Sequence, residues 1–579
     1  MKYIGPFFRM NSLSQKEISG QLFHLAKESV KILVLNSKCG LLAQVRVSKK
    51  ASINDISILN NFSPLLCLYR KASPMFVHNK TSHGFDESSF KKEILPSTNA
   101  LMTMCLLELG EYYSHYEEGN RNVLSLENPY NYLAKEQLQF YSENLRNNEG
   151  LFVDKKNISD GNSKGFSLID KDANFKFSDQ AFMMTAYLLY SYYNEDDEIS
   201  SDYIKFSHEI LDMLRDYKSA LYDLSFGELT QIFLALIIFY KYSDDEDAKK
   251  LILDLGDFLI TKFQEKDYYV DSMDDCCLFY ICLIESYKHT EIISFKETAK
   301  EIMEKLISLY DNDKNIFIKL NDKKECKYSC LEINLYLLAL IISSLEEDSP
   351  TELRSIISGI YRKFFVNGGL LTSWPEAPTL DEVERYKKLS LRSDDMLDET
   401  YFRMPVCPTP KSTGLAPVFV RSLTYSKRKD TLSVSRSSFD SNKNMLNFFL
   451  IIYLLKDIVK AFMEFNLSLT PEASINIRTT NLTNDNAYET PINNLPNKES
   501  SEPINIKNTL DSTNIKASNI SDNIKTSNSS EFSPNKLSLK NIPNNISLTK
   551  NNIPKINSSL KTKKYKKNKA KHPHNNKKA

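Results

Sequence analysis

The sequence runs to 579 residues, 41% hydrophobic and 26% charged, with 74 Lys+Arg against 74 Asp+Glu and a formal net charge of zero. Nine cysteines, an odd count with no CxxC pair, favour buried free thiols in a reducing compartment over a disulfide framework. Apolar runs such as NFFLIIYLL at 447–455 are too short for a transmembrane segment, and the opening MKYIGPFFRMNSLSQKE lacks the pattern of a signal peptide, so a cytoplasmic location is expected.

Composition changes once along the chain, near Thr470. Before it Leu, Ile, Phe and Tyr dominate; after it Asn, Ser, Thr, Lys and Pro take over. Residues 471–579 hold 18 of the 74 basic residues but 8 of the 74 acidic ones, which leaves 56 basic against 66 acidic in the body. We expect one folded domain over 1–470 and a disordered, basic Asn/Ser/Lys-rich tail over 471–579.

Within the body, helical periodicity predicts six pairs of helices in chain order. The pairs fall near 13–34 and 97–116, 129–147 and 178–193, 201–217 and 226–242, 246–265 and 273–288, 294–310 and 328–346, and 350–365 and 442–463. A short extended-looking piece follows each first member: CGLLAQ (39–44), EGLFVDKK (149–156), SALYDLS (219–225), DYYVDS (267–272), NIFIKL (315–320) and GGLLTSW (368–374). First members carry an apolar stripe and a charged face, whereas second members such as FMMTAYLLYSYY and LYLLALIISSL are apolar nearly all round. One set therefore has a wet face and the other is enclosed. Where inserts are absent the hinges recur after 47, 48 and 54 residues.

Six hairpins with enclosed second helices close most simply into a ring, because an open stack would need polar faces at both ends and neither end has one. In layout the body resembles the (α/α)6 toroid of six-hairpin glycosidases and related sugar-active enzymes. That resemblance implies an all-α toroid and a carbohydrate substrate.

Long inserts, at 45–95, 157–177 and 377–440, all join first helices to second, so they would wall the face where the inner helices begin. Polar groups cluster at those beginnings: Asn99, Asp179, Glu228, Asp274, Asp275, Glu332, Asn442 and Asn444. Capping and the helix dipole account for carboxylates at such positions. Glu228 and Glu332, however, lie about a turn inside helices with otherwise buried faces, where a carboxylate needs a partner or a purpose. Glycosidic cleavage uses two opposed carboxyls, one with a raised pKa that protonates the leaving oxygen and one that activates water. Asp179, Glu228, Asp275 and Glu332 are the catalytic candidates, with no division into acid and base. Asn99, Trp374, Tyr268, Tyr269 and Phe152 are candidates for contact with a sugar; Trp374 equally suits a packing role, and Glu376 reads as a turn carboxylate.

Other signals are weaker. DDMLD at 394–398 matches the Mg²⁺-diphosphate motif DDxxD of class I terpene synthases, and VDSMDD is similar in outline to the acidic motif of toroidal triterpene cyclases; the first lies in an insert and the cyclases' aromatic repeats are missing. His78 and His83 would suit proton transfer in a sugar epimerase. No metal-ligand spacing, Walker loop or GxGxxG stands out, so neither metal nor cofactor is expected. The last twenty residues hold nine lysines and no acid, a charge that would attract polyanions or an anionic membrane surface. The main alternative to a glycoside hydrolase is a non-catalytic toroid that binds a glycan or a protein; a sugar epimerase or lyase and a diphosphate-using cyclase rank below it.

Overall fold

A computed structural model describes residues 15–44, 56–79, 82–114, 126–159, 165–172, 174–319, 324–346, 352–375, 414–435 and 438–464. The expected tail, DDMLD and Glu376 lie outside the described residues.

Twelve helices of nine residues or more alternate between two layers among the described residues. The outer set is α1 (Gln15–Leu35), α3 (Glu127–Asn144), α5 (Ser200–Asp216), α7 (Glu246–Gln264), α9 (Ile293–Ser308) and α11 (Glu352–Ile360, continued by a π-helical turn, Tyr361–Val366). The inner set is α2 (Pro96–Ser114), α4 (Phe177–Tyr193), α6 (Phe226–Ser243), α8 (Met273–Thr290), α10 (Cys330–Ser343) and α12 (Ser441–Glu464). Each inner helix packs on the next, α2 on α4, α4 on α6, α6 on α8, α8 on α10 and α10 on α12, and α12 returns to α2. The fold is an (α/α)6 toroid.

Burial follows the two sequence patterns. In α4 every residue from Phe177 to Ser191 is buried, and in α10 all but Leu331 are. In α7 only Ala248, Leu251, Ile252, Leu255, Gly256, Leu259 and Phe263 are buried, one stripe at helical spacing. Each large apolar side chain taken fully out of water contributes roughly 1.5–3 kcal/mol, so the ring is held mainly by its inner layer.

Local chemistry sets the tight turns at the closed end. Asp244 ends α6 in the left-handed conformation at φ 51°, and Asp245 starts α7 by accepting from the amides of Asp247 and Ala248, both at 2.9 Å. Across this end the buried Glu108 of α2 pairs with Lys456 of α12 and accepts from Tyr193 of α4 at 3.2 Å and Tyr242 of α6 at 2.9 Å. One carboxylate thus ties four inner helices together.

The insert side is laced by short antiparallel strands. Glu93–Ile94 pairs with Lys155–Asn157, which pairs with Leu168–Asp170, and Lys71–Ala72 pairs with Phe439–Asp440. Segments from the three inserts are therefore joined to one another around the mouth. Two hinges differ from the extended reading: 218–221 and 268–271 are single helical turns. The second is nucleated by Asp267, whose carboxylate accepts from the Tyr269 amide at 3.1 Å, local capping that apolar periodicity cannot reveal. All eight described cysteines are free and buried. No described helix is long and apolar enough to cross a membrane.

Candidate active site

The starts of five inner helices, α2, α4, α6, α8 and α12, converge on one cavity of about 530 Å³. Its lining residues are mostly polar: Ser97, Ser178, Ser225, Ser272, Gln231, Asn442, Lys176, Lys266, Glu228 and Asp275. Leu95, Phe226 and Tyr268 supply apolar surface. The inner helices run parallel, so each brings its first turn to the same rim.

Glu228 and Asp275 stand on the neighbouring helices α6 and α8. Ser225 caps α6 by accepting from the Glu228 amide at 3.3 Å, which fixes the first turn and leaves the Glu228 side chain half-buried at the cavity, where Ser178 Oγ donates to its Oε1 at 3.4 Å. Asp275 lies in the first turn of α8, half-buried, with its carboxyl against Gly227 of α6. Burial, reinforced by the neighbouring charge of Asp274 and opposed by Lys266, pushes its pKa up to about 6. One wall of the cavity thus holds a carboxyl group able to keep its proton up to about pH 6.

Asp179 is close by but does not line the cavity. It is buried in the first turn of α4, accepts from the Ser97 amide of α2 at 3.0 Å and sits 4.0 Å from the Lys176 amine. Burial, only partly offset by Lys176, lifts its pKa to about 6 as well. Its hydrogen bond joins the starts of α2 and α4.

The structure does not bring Glu332 to the cavity. Its Oε1 pairs with the buried Lys319, and its Oε2 accepts from the Ser329 amide at 2.6 Å while Ser329 Oγ accepts from the Glu332 amide at 3.1 Å, a complete capping box. Both oxygens are engaged at the start of α10, the inner helix whose first turn contributes nothing to the lining.

Of the other candidates, Tyr268 lines the cavity and is held by Phe263, stacked at 5.3 Å, and Phe226 at 4.3 Å. Tyr269 lies edge-on to Phe263 at 5.8 Å and outside the lining. Asn99 is fully buried and clasps the chain at Leu68, accepting from its amide at 2.7 Å and donating to Leu95 O at 2.8 Å. Phe152 is buried, its amide donating to Gln180 Oε1 at 3.0 Å. Trp374 is 8% exposed and meets Tyr361 edge-on at 6.4 Å. GGLLTSW therefore closes the join between the last hinge and the ring, and its tryptophan packs.

Sequence reasoning missed Lys176, Lys266 and Gln231. Gln231 follows Glu228 by three residues on α6, so the same-face spacing was available as a signal. The lysines immediately precede helical turns at the mouth, but nothing in their local pattern separates them from surface charge.

No protein-family model matches the chain. No curated protein matches it either. Among solved structures it is similar to the cellobiose 2-epimerase of Bacillus thermoamylovorans B4167, at 8% identity and a TM-score of 0.42, over 68% of this chain and 92% of that one. It is similar to a D-mannose isomerase, at 10% identity and a TM-score of 0.42, over 76% and 97%. A third is an unsaturated glucuronyl hydrolase specific for heparin, at 10% identity and a TM-score of 0.38, over 77% and 98%. All three are six-hairpin glycosidase-like toroids. The ring itself is established by the closed cycle of inner-helix contacts.

Proposed function

We propose that the protein is a carbohydrate-active enzyme that hydrolyses a glycosidic bond in the mouth cavity. The observation that carries this reading is the pair Glu228 and Asp275, two carboxyls from adjacent inner helices lining one polar cavity, with Asp275 lifted to about 6. Asp275 acts as the acid, passing its proton to the glycosidic oxygen as the bond from the anomeric carbon to that oxygen breaks. Glu228 acts as the base, taking a proton from the water that adds to the anomeric carbon. Ser97, Ser178, Gln231 and Asn442 are lining residues that can hydrogen-bond sugar hydroxyls.

Hydrolysis is the reaction that gives both carboxyls of the pair a role, one as acid and one as base. A panel of soluble glycans, assayed in parallel for binding and for new reducing ends, tests the reading. Release of reducing ends supports hydrolysis; binding without turnover of any glycan would instead support a receptor ring.

A further inference from the structure

Two lysines line the cavity from the hairpins on either side of α6. Lys176 precedes α4, and Lys266 lies between α7 and the turn at 268–271. Among the described residues, the carboxylates nearest the Lys176 amine stand at the limit of ion-pair distance, Asp154 at 3.8 Å and Asp179 at 4.0 Å. Lys266 forms no ion pair among the described residues; its amine sits 5.1 Å from the centre of the ring of Tyr268, another lining residue.

Neutral sugars are recognised by hydroxyl, amide and carboxylate groups, all of which this cavity already has. Two lysines add a feature that hydroxyl recognition does not need, a pair of point charges suited to a carboxylate or phosphate. Their position matters too. An anion held at Lys266 would stand near Asp275 and favour its protonated state, the state in which it can donate.

We propose that the cavity takes a sugar bearing an anionic substituent, a carboxylate or a phosphate, held by Lys176 and Lys266. The proposal rests on the reading of the cavity as a sugar site and adds the class of sugar. Glu228 and Asp275 address the glycosidic bond, while the amines fix the charged end and so select which ring enters.

Calorimetric titration of the full chain with D-glucuronate, glucose 6-phosphate, glucose and inorganic phosphate at low ionic strength tests it. At least one charged sugar should bind about tenfold or more tightly than glucose, the scale of a hydrogen bond to a charged group. Whichever charged sugar binds identifies the anion. Lys266 is exposed, so Lys266→Gln should fold normally, and it should lose most of that advantage while Lys266→Arg keeps it; added salt should weaken binding. Glucose binding as tightly as both charged sugars, no binding by either, or full affinity in Lys266→Gln would overturn the proposal. Where glucose 6-phosphate is the sugar that binds, inorganic phosphate binding as tightly would overturn it as well, since the amines would then hold an anion without its sugar. Hydrolysis stands or falls separately on turnover. Cleavage of neutral glycans without charge preference keeps hydrolysis and removes the anionic substrate, whereas tight charged-sugar binding without turnover does the reverse.

Discussion

A Cβ built on Gly227 would lie 2.5 Å from Oδ1 of Asp275, closer than any side chain can approach. Glycine in the first turn of α6 is therefore what allows the carboxyl of α8 to rest against its neighbour's backbone. Gly227→Ala should move Asp275 while leaving the helix intact, because alanine favours a helix by roughly 0.5–1 kcal/mol over glycine. The expected outcome is a fall in kcat of about tenfold or more with little change in melting temperature, measured on any glycan the protein cleaves. Unchanged kcat would show that the seat of Asp275 does not matter.

The pH dependence of turnover should follow Asp275. Its pKa of about 6 in the free protein means that the proton-donating form declines as pH rises through that value. The expected profile of kcat/KM falls on its alkaline side with an apparent pKa near 6, and Asp275→Asn abolishes that limb together with activity. A profile flat from pH 5 to 8 would remove Asp275 as the acid.

Asp179 predicts a pH-dependent stability. Its pKa rises from 3.8 to about 6 on folding, so between those values the folded chain binds the extra proton and stability falls with rising pH. The penalty is fully present above about 6 and, at 1.36 kcal/mol per unit, reaches at most ~3 kcal/mol. Asn can still accept from the Ser97 amide, so Asp179→Asn should raise the melting temperature above neutrality and lose that advantage below pH 4. Equal shifts at both pH values would contradict the assignment.

Glu332→Gln should act on stability. It leaves the Lys319 amine without its anionic partner at a site only 8% exposed, a loss expected to cost about 3–5 kcal/mol. Urea unfolding measures this directly. A variant with native stability but no turnover would return Glu332 to the list of catalytic groups.

The sequence made the ring legible because two kinds of apolar periodicity alternate along it. α4 and α10 are apolar on every side and α7 on one stripe, and enclosure follows from that contrast alone. Glu228 and Asp275 were legible from their place in the first turns of α6 and α8. Glu332 looked the same to a local reading, since its distinction lies in Lys319, thirteen residues away across a hinge. Trp374 invited a role by its rarity, but its partner Tyr361 comes from the preceding helix, and the buried contact is tertiary. Lys176 and Lys266 lie on separate hairpins, and only folding brings them to one cavity.

The most direct measurement of the central claim is reducing-end release by the unaltered chain, Asp275→Asn and Glu228→Gln, with glycan binding and unfolding followed on the same three proteins. The account predicts turnover by the unaltered chain and a drop of at least ~10²-fold in each variant, with binding and stability largely retained. Turnover by both variants at the unaltered rate, or no turnover of any glycan by the unaltered chain, would contradict it.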